Sequence, residues 1–217
     1  MIEEPVTLHD YWRSSSAWRV RIALGLKGID YRRVPRDLLA GEQRSDDYLA
    51  LAPQGLVPAL EADGMVLTQS VAIIEWLDEC LPDPPLLPAD ANGKAVVRAM
   101  AALIASDIQP LQNLRVLKAI KARFGAEQDA IDAWARHWIE EGFTALETMV
   151  ARHGGGFCFG DSPGLADCLL IPQMYNGERY NAELARFPAL LAVRQRCEAL
   201  AGFAAAHPSR QPEAPPP

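Results

Sequence analysis

A short proline-rich segment, PDPPLLP at residues 82–88, separates two stretches of the chain whose hydrophobic patterns differ. Proline fixes the dihedral φ and lacks an amide N–H, so this segment cannot continue a helix or a sheet ladder. Strand and helix spacings of apolar residues alternate before it, and helical spacing dominates after it. We therefore predict a mixed α/β domain over residues 1–84 and an all-helical domain over residues 89–207. The proline-rich tail, residues 208–217, is predicted to be disordered.

The first domain is predicted to contain a helix between two short strands. The stretch AWRVRIALGLKG, residues 17–28, fits both strand alternation and helical spacing. Its length, the serines before it and the Lys27-Gly28 pair at its end favour a capped helix. Strand spacing is found on both sides of it, in VTLHDYW (6–12) and DYRRVPR (30–36).

The stretch VPALEADGMVLTQ, residues 57–69, predicts a β-hairpin followed directly by a helix. Its Asp63-Gly64 pair suits a type I′ turn, in which both central residues have positive φ. Pro58 has no N–H to donate, so it lies at a sheet edge or follows a cis peptide bond. A cis bond would leave the Val57 N–H and C=O free to pair with a peptide-like ligand. Ser70 is predicted to cap the next helix, whose N-terminus favours a carboxylate; an ordinary hairpin and cap are the alternative.

The charge balance and the cysteine spacing argue against several functional classes. The chain has 21 basic and 28 acidic residues, a net charge of −7, and no basic block, so we expect no nucleic-acid partner. No apolar run approaches the roughly 20 residues that span a bilayer, and MIEEPVTLHDYW lacks the pattern of a signal peptide. Four widely spaced cysteines predict buried thiols in a reducing cytoplasm and no metal site.

Three consecutive serines, Ser14, Ser15 and Ser16, lie between a predicted strand and the predicted helix. A hydroxyl at this place can donate to an anion, and the field of the helix N-terminus lowers the pKa of a thiol bound there. The alternative is that one serine caps the helix and the others are solvated. A serine-hydrolase site is disfavoured because the chain contains no GxSxG motif.

Four stretches resemble the zeta class of glutathione transferases, which includes maleylacetoacetate isomerase and bacterial maleylpyruvate isomerase. They are RSSSAWRVRIALGLKGIDY, LVPALEADGMVLTQSVAIIEWLDE, IQPLQNLRVLKAI and GDSPGLADCLLIPQ. The resemblance extends from about Val6 to Phe203. It implies the glutathione transferase fold: a thioredoxin-like N-terminal domain, α/β in class, and an all-helical C-terminal domain. It also implies a homodimer that uses glutathione as its cofactor.

The resemblance assigns roles to individual residues. Ser14 matches the hydroxyl that stabilises the glutathione thiolate, with Ser15 beside it, and the candidate catalytic residues are Ser14, Ser15 and Ser16. Val57 matches the residue that pairs with the cysteinyl backbone, and Gln69 and Ser70 match the binders of the γ-glutamyl carboxylate. The implied glutathione contacts are Gln43, Val57, Pro58, Gln69, Ser70, Gln109 and Asn113. The implied ligands of the substrate carboxylates are Arg13, Arg115 and Arg179.

Two positions depart from the family pattern. The third residue of the zeta motif is usually cysteine, and here it is Ser16. A hydroxyl forms no mixed disulfide, so we do not expect the reductive dehalogenation that this cysteine serves in some members. Gly164 stands where many glutathione transferases have Ser or Thr, which removes one half of a capping box. The other half remains if the Asp167 carboxylate accepts from the Gly164 N–H.

The first functional hypothesis is a glutathione-dependent cis–trans isomerase of a small dicarboxylate. Its expected substrate is maleylacetoacetate from tyrosine and phenylalanine breakdown, its product fumarylacetoacetate, and maleylpyruvate is the alternative substrate. Addition of the thiolate to the cis double bond, rotation and expulsion would regenerate glutathione. A second hypothesis is a transferase that conjugates small electrophiles such as α-haloacids. A third is a non-catalytic binding module, which the retained Ser14 and the Gln69-Ser70 pair disfavour.

Other polar and aromatic residues receive structural interpretations. Arg19 and Arg21 are predicted to form salt bridges on the surface of the first helix. Trp134 and Trp138 are four residues apart and are predicted to form a core stripe.

Overall fold

The structure is a computed structural model that describes residue 2 and residues 5–215. The chain divides into two compact units. The first unit contains residues 1–86 together with residues 198–217, and the second contains residues 87–197. The division after Leu86 falls within the predicted proline-rich segment. The return of the last twenty residues to the first unit differs from the predicted division.

A four-stranded mixed sheet forms the centre of the first unit. Its strands are β1 (Thr7–Asp10), β2 (Arg32–Pro35), β3 (Ala59–Ala62) and β4 (Met65–Thr68), in the order β2-β1-β3-β4. β1 is parallel to β2, and β3 is antiparallel to both β1 and β4. His9 lies opposite Ala59, which lies opposite Thr68. β1 and β4 therefore end where β3 begins, and we call this side the loop end of the sheet.

Three helices follow these strands in the first unit: α1 (Ser15–Leu26), α2 (Asp46–Leu51) and α3 (Ser70–Cys80). The prediction of a helix for α1 is confirmed, and α2 was not predicted. The predicted hairpin is confirmed, because Asp63 and Gly64 have φ of 50° and 71° between β3 and β4. The predicted N-cap of α3 is wrong by one residue. Gln69 occupies the cap, and Ser70 is the first helical residue.

The end of the chain packs on the first unit. Helix α9 (Ala201–Ala206) lies against α1, where a Cβ atom on Gly202 would be only 3.1 Å from the carbonyl carbon of Gly25. A 3₁₀ turn follows at Pro208–Arg210, and buried Gln211 donates from Nε2 to the carbonyls of Ala205 and His207.

These contacts differ from the disorder predicted for residues 208–217. The Glu213 carboxylate accepts from the Arg33 guanidinium at 3.0 Å. Buried side chains and a partly buried ion pair hold this segment despite its proline content. Residues 216 and 217, which also belong to the predicted tail, lie outside the described residues.

The second unit is helical, as predicted. Its α-helices are α4 (Ala91–Ala102), α5 (Leu114–Phe124), α6 (Gln128–His153), α7 (Leu165–Arg179) and α8 (Pro188–Glu198), the last of which ends at the unit boundary. Helix α4 continues into a π-helical segment at Leu103–Ile108 and a 3₁₀ turn at Gln109–Gln112. Pro110 lacks the N–H that a regular helix would donate, which favours the break of the α-helical pattern at this turn. Short 3₁₀ turns and loops complete the unit.

The predicted proline linker is anchored to the first unit by one lysine. Lys27 Nζ donates to Asp78 Oδ1 at 2.7 Å and to the carbonyls of Leu81 and Pro84 at 2.5 Å each. Leu86 at the end of the segment is buried. The segment therefore has specific side-chain and carbonyl contacts at the end of α3.

Several predictions about side chains can be compared with the structure. Cys158, Cys168 and Cys197 are buried and Cys80 is partly buried, and none of the four forms a disulfide in the described part of the chain. The predicted core stripe is wrong: Trp134 is exposed and donates from Nε1 to the Leu111 carbonyl, and its ring contacts Trp138 edge to face. Among residue 2 and residues 5–215, no helix has the length and hydropathy of a membrane span.

Candidate functional site

Three chain segments that were singled out in the sequence meet at the loop end of the sheet. Residues 11–14 follow β1, residues 57–58 precede β3, and residues 69–70 follow β4. The Tyr11 side chain packs against the buried cluster that contains Val57 and Ala59, so the first two segments share one hydrophobic cluster. Arg19 on α1 donates to Ser70 at 3.3 Å, which connects the helix after the first segment to the third. These contacts place both helix N-termini beside the start of β3.

Ser14 is the N-cap of α1. Its Oγ accepts a hydrogen bond from the Ala17 N–H at 3.3 Å, and its backbone has extended dihedrals of −66° and 118°. A hydroxyl that accepts from the helix still has its own proton to donate. Ser15 is buried as the first helical residue, and Ser16 is partly buried. The half-buried Ser14 hydroxyl therefore combines the capping role with a donor at a positive helix end.

The Val57–Pro58 peptide bond is cis, and Pro58 directly precedes a central strand. Of the two alternatives left by the sequence, an edge strand or a cis bond, the structure has the second. The Gln43 carbonyl lies against Gly55, whose φ of +61° and lack of a Cβ permit an approach that a side chain would block. Gln43 Oε1 is buried and has no hydrogen-bond partner among the described residues. This atom is an acceptor available to a ligand N–H.

Gln69 joins β4 to α3 in an unusual conformation. Its φ of 70° and ψ of 113° lie outside the regions that a residue with a Cβ ordinarily adopts. Its side chain is exposed and donates from Nε2 to Gln54 Oε1 at 2.7 Å. Ser70, the next residue, is buried at the N-terminus of α3. Strained backbone of this kind often occurs at ligand sites, and here it places two polar side chains at a helix N-terminus.

Two arginines on α1 were predicted to be exposed, and this prediction is wrong. Arg19 and Arg21 are 2% and 1% exposed. Arg21 is fully partnered: its guanidinium donates to Asp10 at 2.7 Å and to the carbonyls of Trp12 and Ala206. Arg19 was not predicted to be near the site. The missed signal was a helix that is apolar on every face, since no face was left for an exposed arginine.

The sequence-predicted residues of the second unit lie around the break after α4. Gln109 begins the 3₁₀ turn, and Asn113 is the N-cap of α5. The Asn113 Oδ1 accepts from the Arg115 N–H at 3.1 Å, which places Arg115 in the first turn of α5 with an exposed side chain. Gln112, buried in the same turn, donates to Gln173 Oε1 on α7 at 2.8 Å. Three predicted residues are therefore adjacent within this unit.

The other two predicted arginines have local partners. Arg179 is the last residue of α7, is exposed, lies over the Tyr180 ring and donates weakly to Asn176 Oδ1 at 3.5 Å. Arg179 and Arg115 lie on different helices, α7 and α5. Arg13 belongs to the first unit, where its guanidinium lies 5.4 Å from the centre of the Trp12 ring. Arg13 directly precedes Ser14 and is partly exposed.

The remaining half of the predicted capping box is present at α7. Asp167 is buried, and its two carboxylate oxygens accept from the Gly164 and Cys158 N–H groups at 2.8 Å each. Burial raises the pKa of Asp167 above its usual range, although these hydrogen bonds oppose the shift. Burial also raises the pKa of the Cys158 thiol beside it. This cluster positions the start of α7 and offers no reactive thiolate.

Comparison with known proteins identifies the family. The N-terminal domain family of glutathione S-transferases matches residues 13–80. A maleylacetoacetate isomerase of Pseudomonas aeruginosa is 44% identical over 96% of this chain and 98% of its own length. A solved holo structure of a maleylpyruvate isomerase, described as a bacterial glutathione S-transferase of the zeta class, has a TM-score of 0.94 and 44% identity, covering 96% and 100% of the two chains. The chain belongs to the zeta class of glutathione transferases.

A further similar protein has been solved with ligands in its active site. It is the maleylacetoacetate isomerase of Anaeromyxobacter dehalogenans, described with bound dicarboxyethyl glutathione and citrate. It is 48% identical to this chain, has a TM-score of 0.88, and covers 98% of this chain and 94% of its own. The thioredoxin-like first unit and the helical second unit are therefore the glutathione transferase fold that the sequence motifs implied.

The loop end of this zeta-class chain fits glutathione chemically. Glutathione presents a thiol, peptide N–H and C=O groups, and carboxylates. The described residues offer a serine hydroxyl at the α1 N-terminus and the orphaned Gln43 acceptor. They also offer a buried hydroxyl and a buried guanidinium at the N-terminus of α3. Donors for negative groups and an acceptor for an amide are thus both present in one unit.

Proposed function

We propose that this zeta-class protein is a glutathione-dependent isomerase that converts maleylacetoacetate to fumarylacetoacetate. The observation that carries the proposal is the Ser14 hydroxyl at the N-terminus of α1, beside the segment that contains the cis Val57–Pro58 bond. Maleylacetoacetate and maleylpyruvate isomerases that align over nearly the whole chain support the choice of reaction. The retained hydroxyl favours an enzyme over a non-catalytic binding module.

Ser14 is the proposed catalytic residue. Glutathione, when bound, supplies the thiolate that adds reversibly to the cis double bond of the substrate. The Ser14 hydroxyl donates to that sulfur while its Oγ remains bonded to the Ala17 N–H. The positive end of α1 and this donor both favour the ionised thiol, so they raise the fraction of nucleophile at neutral pH. Ser15 and Ser16 contribute the N–H groups of the first helical turn.

Binding of glutathione is assigned to the loop end. Val57 pairs with the cysteinyl backbone, with Pro58 fixing the segment, and Gln43 accepts from an amide of the ligand. Gln69 and Ser70 bind the γ-glutamyl carboxylate at the start of α3. Gln109 and Asn113 are proposed as further contacts from the second unit.

Three arginines are proposed to hold the carboxylates of the substrate: Arg13, Arg115 and Arg179. All three are partly or fully exposed in this structure, so none is neutralised by a buried ion pair. A guanidinium can bind a carboxylate through two parallel hydrogen bonds, and a fixed positive group also stabilises charge that develops on the substrate. A small dicarboxylate is therefore the favoured substrate class.

Maleylpyruvate is the second candidate substrate. The observation that favours it is the similarity to a maleylpyruvate isomerase structure, with a TM-score of 0.94. Conjugation of α-haloacids is a weaker alternative. It would not require the three arginines, so equal turnover of neutral and dianionic electrophiles would favour it.

We also propose that the enzyme is a cytoplasmic homodimer. Four cysteines that form no disulfide among the described residues are typical of a reducing compartment, and the family resemblance implies the dimer.

The test is the ultraviolet assay of maleylacetoacetate conversion with and without glutathione. We expect fast turnover that requires glutathione, and a loss of about 10- to 100-fold in Ser14→Ala, the cost of one charge-assisted hydrogen bond. Ser14→Thr keeps the hydroxyl and is expected to retain most activity. Ser14→Gly removes the hydroxyl but is a tolerated N-cap, so it separates catalysis from helix stability.

Two outcomes would overturn parts of the proposal. Turnover without glutathione would exclude the thiol mechanism. Glutathione binding without turnover would redirect the assay to maleylpyruvate, and then to conjugation of α-haloacids.

A further inference from the structure

Arg19 is a buried cation that has no counter-ion among the residues that the structure describes. Its residue is 2% exposed, and its Nε and Nη2 atoms have no hydrogen-bond partner among the described residues. Burial lowers the pKa of Arg19 to about 10, and no carboxylate opposes that shift. The guanidinium therefore remains charged at neutral pH. Burying a charge without a partner is strongly unfavourable, so the presence of Arg19 here needs a compensating role.

Arg21, on the same helix, is a buried arginine whose charge is fully compensated. Two residues along α1, its guanidinium is bonded to the Asp10 carboxylate and to two backbone carbonyls. The Arg19 guanidinium donates one side-chain hydrogen bond, from Nη1 to Ser70 Oγ at 3.3 Å. The charge of Arg19 is thus directed at the first residue of α3 and at no protein anion within the described part of the chain.

The direction of this hydrogen bond determines what Ser70 can do. A guanidinium has only donors, so Ser70 Oγ must accept from it. A serine hydroxyl has one proton, and a group that accepts from Arg19 keeps that proton for another partner. Ser70 is buried at the N-terminus of an eleven-residue helix, whose free N–H groups add positive potential.

We propose that Arg19 is a positioning residue for the γ-glutamyl carboxylate of glutathione. It holds Ser70 Oγ as an acceptor, so that the Ser70 hydroxyl proton points to the carboxylate, and it supplies a buried positive charge behind that hydroxyl. The carboxylate in turn compensates the charge. This inference rests on the proposed use of glutathione, and it assigns a role on α1 to a residue that contacts the ligand only through Ser70.

The experiment measures binding, so it does not depend on turnover. Isothermal titration compares glutathione with 4-aminobutanoyl-cysteinyl-glycine, a peptide that differs from glutathione by lacking the γ-glutamyl carboxylate. The variants are Arg19→Met, Arg19→Lys and Ser70→Ala, with the double variant Arg19→Met/Ser70→Ala. The matched control is Arg32→Met, which removes an exposed arginine from β2, the edge strand farthest from β4.

We expect Arg19→Met to lower the affinity for glutathione by about tenfold or more, because a charged group is lost. The affinity for the decarboxylated peptide should stay unchanged. Arg19→Lys keeps a charge and a donor, and should recover part of the discrimination between the two peptides. Arg32→Met should discriminate as the parent protein does. In the Ser70→Ala background, Arg19→Met should have a smaller effect than alone, because coupled residues are not additive.

Thermal unfolding without ligand adds an independent readout. Met has a similar volume and no uncompensated charge, so Arg19→Met should unfold at the same temperature as the parent or higher. If Arg19→Met does not fold, Arg19→Lys and Ser70→Ala carry the binding test.

Three outcomes would overturn the inference. If Arg19→Met lowers the affinity for both peptides equally, Arg19 has a structural role. If the affinity for glutathione is unchanged, Arg19 has no role in binding. An effect of Arg19→Met that is fully additive with Ser70→Ala would remove Ser70 as the link. A parent protein that binds neither peptide would overturn the proposed use of glutathione itself, which is a separate failure.

Discussion

Polar side chains at the loop end differ in how completely the protein satisfies them. Arg21 and Asp10 are fully bonded inside the first unit, whereas Gln43 Oε1 and two Arg19 nitrogens have no partner among the described residues. Buried polar groups in folded proteins are almost always hydrogen-bonded, so unpaired ones indicate a place for a ligand or an ordered water. At this scale the structure separates polar groups that are bonded within the fold from polar groups that are available to a ligand.

Substitution of Arg115 tests the proposed carboxylate clamp, the set of arginines (Arg13, Arg115 and Arg179) that holds the substrate carboxylates. We expect Arg115→Ala to lower kcat/KM for the dicarboxylate by about 10- to 100-fold, because one charge-assisted contact is lost. Turnover of a neutral electrophile should not change. Arg123→Ala is the matched control, since Arg123 is exposed in the last turn of the same helix. A value of kcat/KM within about twofold of the parent would remove Arg115 from the clamp.

Substitution of Asp10 tests the buried ion cluster of the first unit. Asp10 is buried at the end of β1 and accepts from Arg21 and Arg33 at 2.7 Å each. We expect Asp10→Asn to lower the free energy of unfolding by about 3–5 kcal/mol, because it leaves two arginines without their carboxylate. Urea denaturation measures this value. Asp30→Asn, at an exposed position, should change it by less than about 0.5 kcal/mol, and equal effects would contradict the role of burial.

At the scale of elements, α1 combines features that its sequence left ambiguous. Apolar residues occupy every face of α1, which packs against both α3 and α9. Strand alternation and helical spacing were therefore both visible in the sequence. The structure has the two helix-end signals that the sequence offered: Ser14 is the N-cap of α1, and Gly28 has a positive φ just after the helix ends. The apolar pattern left no face for an exposed arginine, but the partners of the two buried arginines, such as the Ala206 carbonyl of α9 for Arg21, depend on contacts that this pattern does not contain.

The contact between α1 and α9 depends on the absence of side chains. A Cβ on Gly202 would lie 3.1 Å from the Gly25 carbonyl carbon and 3.2 Å from the Leu26 nitrogen. Gly→Ala within a helix ordinarily stabilises by up to about 1 kcal/mol. Here the crowded atoms are backbone and cannot rotate away, so we expect Gly202→Ala to lower the melting temperature.

The control for Gly202→Ala measures helix propensity alone. Ala204→Gly lies at an exposed position of the same helix and should cost about 1 kcal/mol or less. A melting temperature raised by Gly202→Ala would show that the two helices separate easily, contrary to the close packing.

At the scale of the whole molecule, the end of the chain belongs to the first unit. Proline-rich composition predicted disorder for residues 208–217, but composition does not report a contact with a distant strand. Gln211 is buried, and Glu213 pairs with Arg33 of β2, more than 170 residues earlier in the chain. Because such a contact depends on the folded sheet, no local sequence pattern predicts it.

Truncation tests whether this segment stabilises the first unit. We expect removal of residues 208–217 to lower the free energy of unfolding by about 1–3 kcal/mol, from the lost hydrogen bonds of Gln211 and the partly buried ion pair. Thermal and urea unfolding provide the measurement. Removal of residues 215–217 alone is the control and should have little effect. If both truncations behave alike, the docked segment contributes nothing to stability.

The sequence by itself determined the class of the fold and the family. Hairpin, helix and proline signals act over a few residues, and the family motifs RSSSAWRV and LVPALEADGMVLTQS are contiguous, so they could be recognised without coordinates. Tertiary structure alone decided which polar groups are buried and unpaired. Arg19 and Ser70 are 51 residues apart, and they meet only because α1 and α3 pack together. Burial and desolvation are properties of that packing, whereas residue type and spacing are properties of the chain.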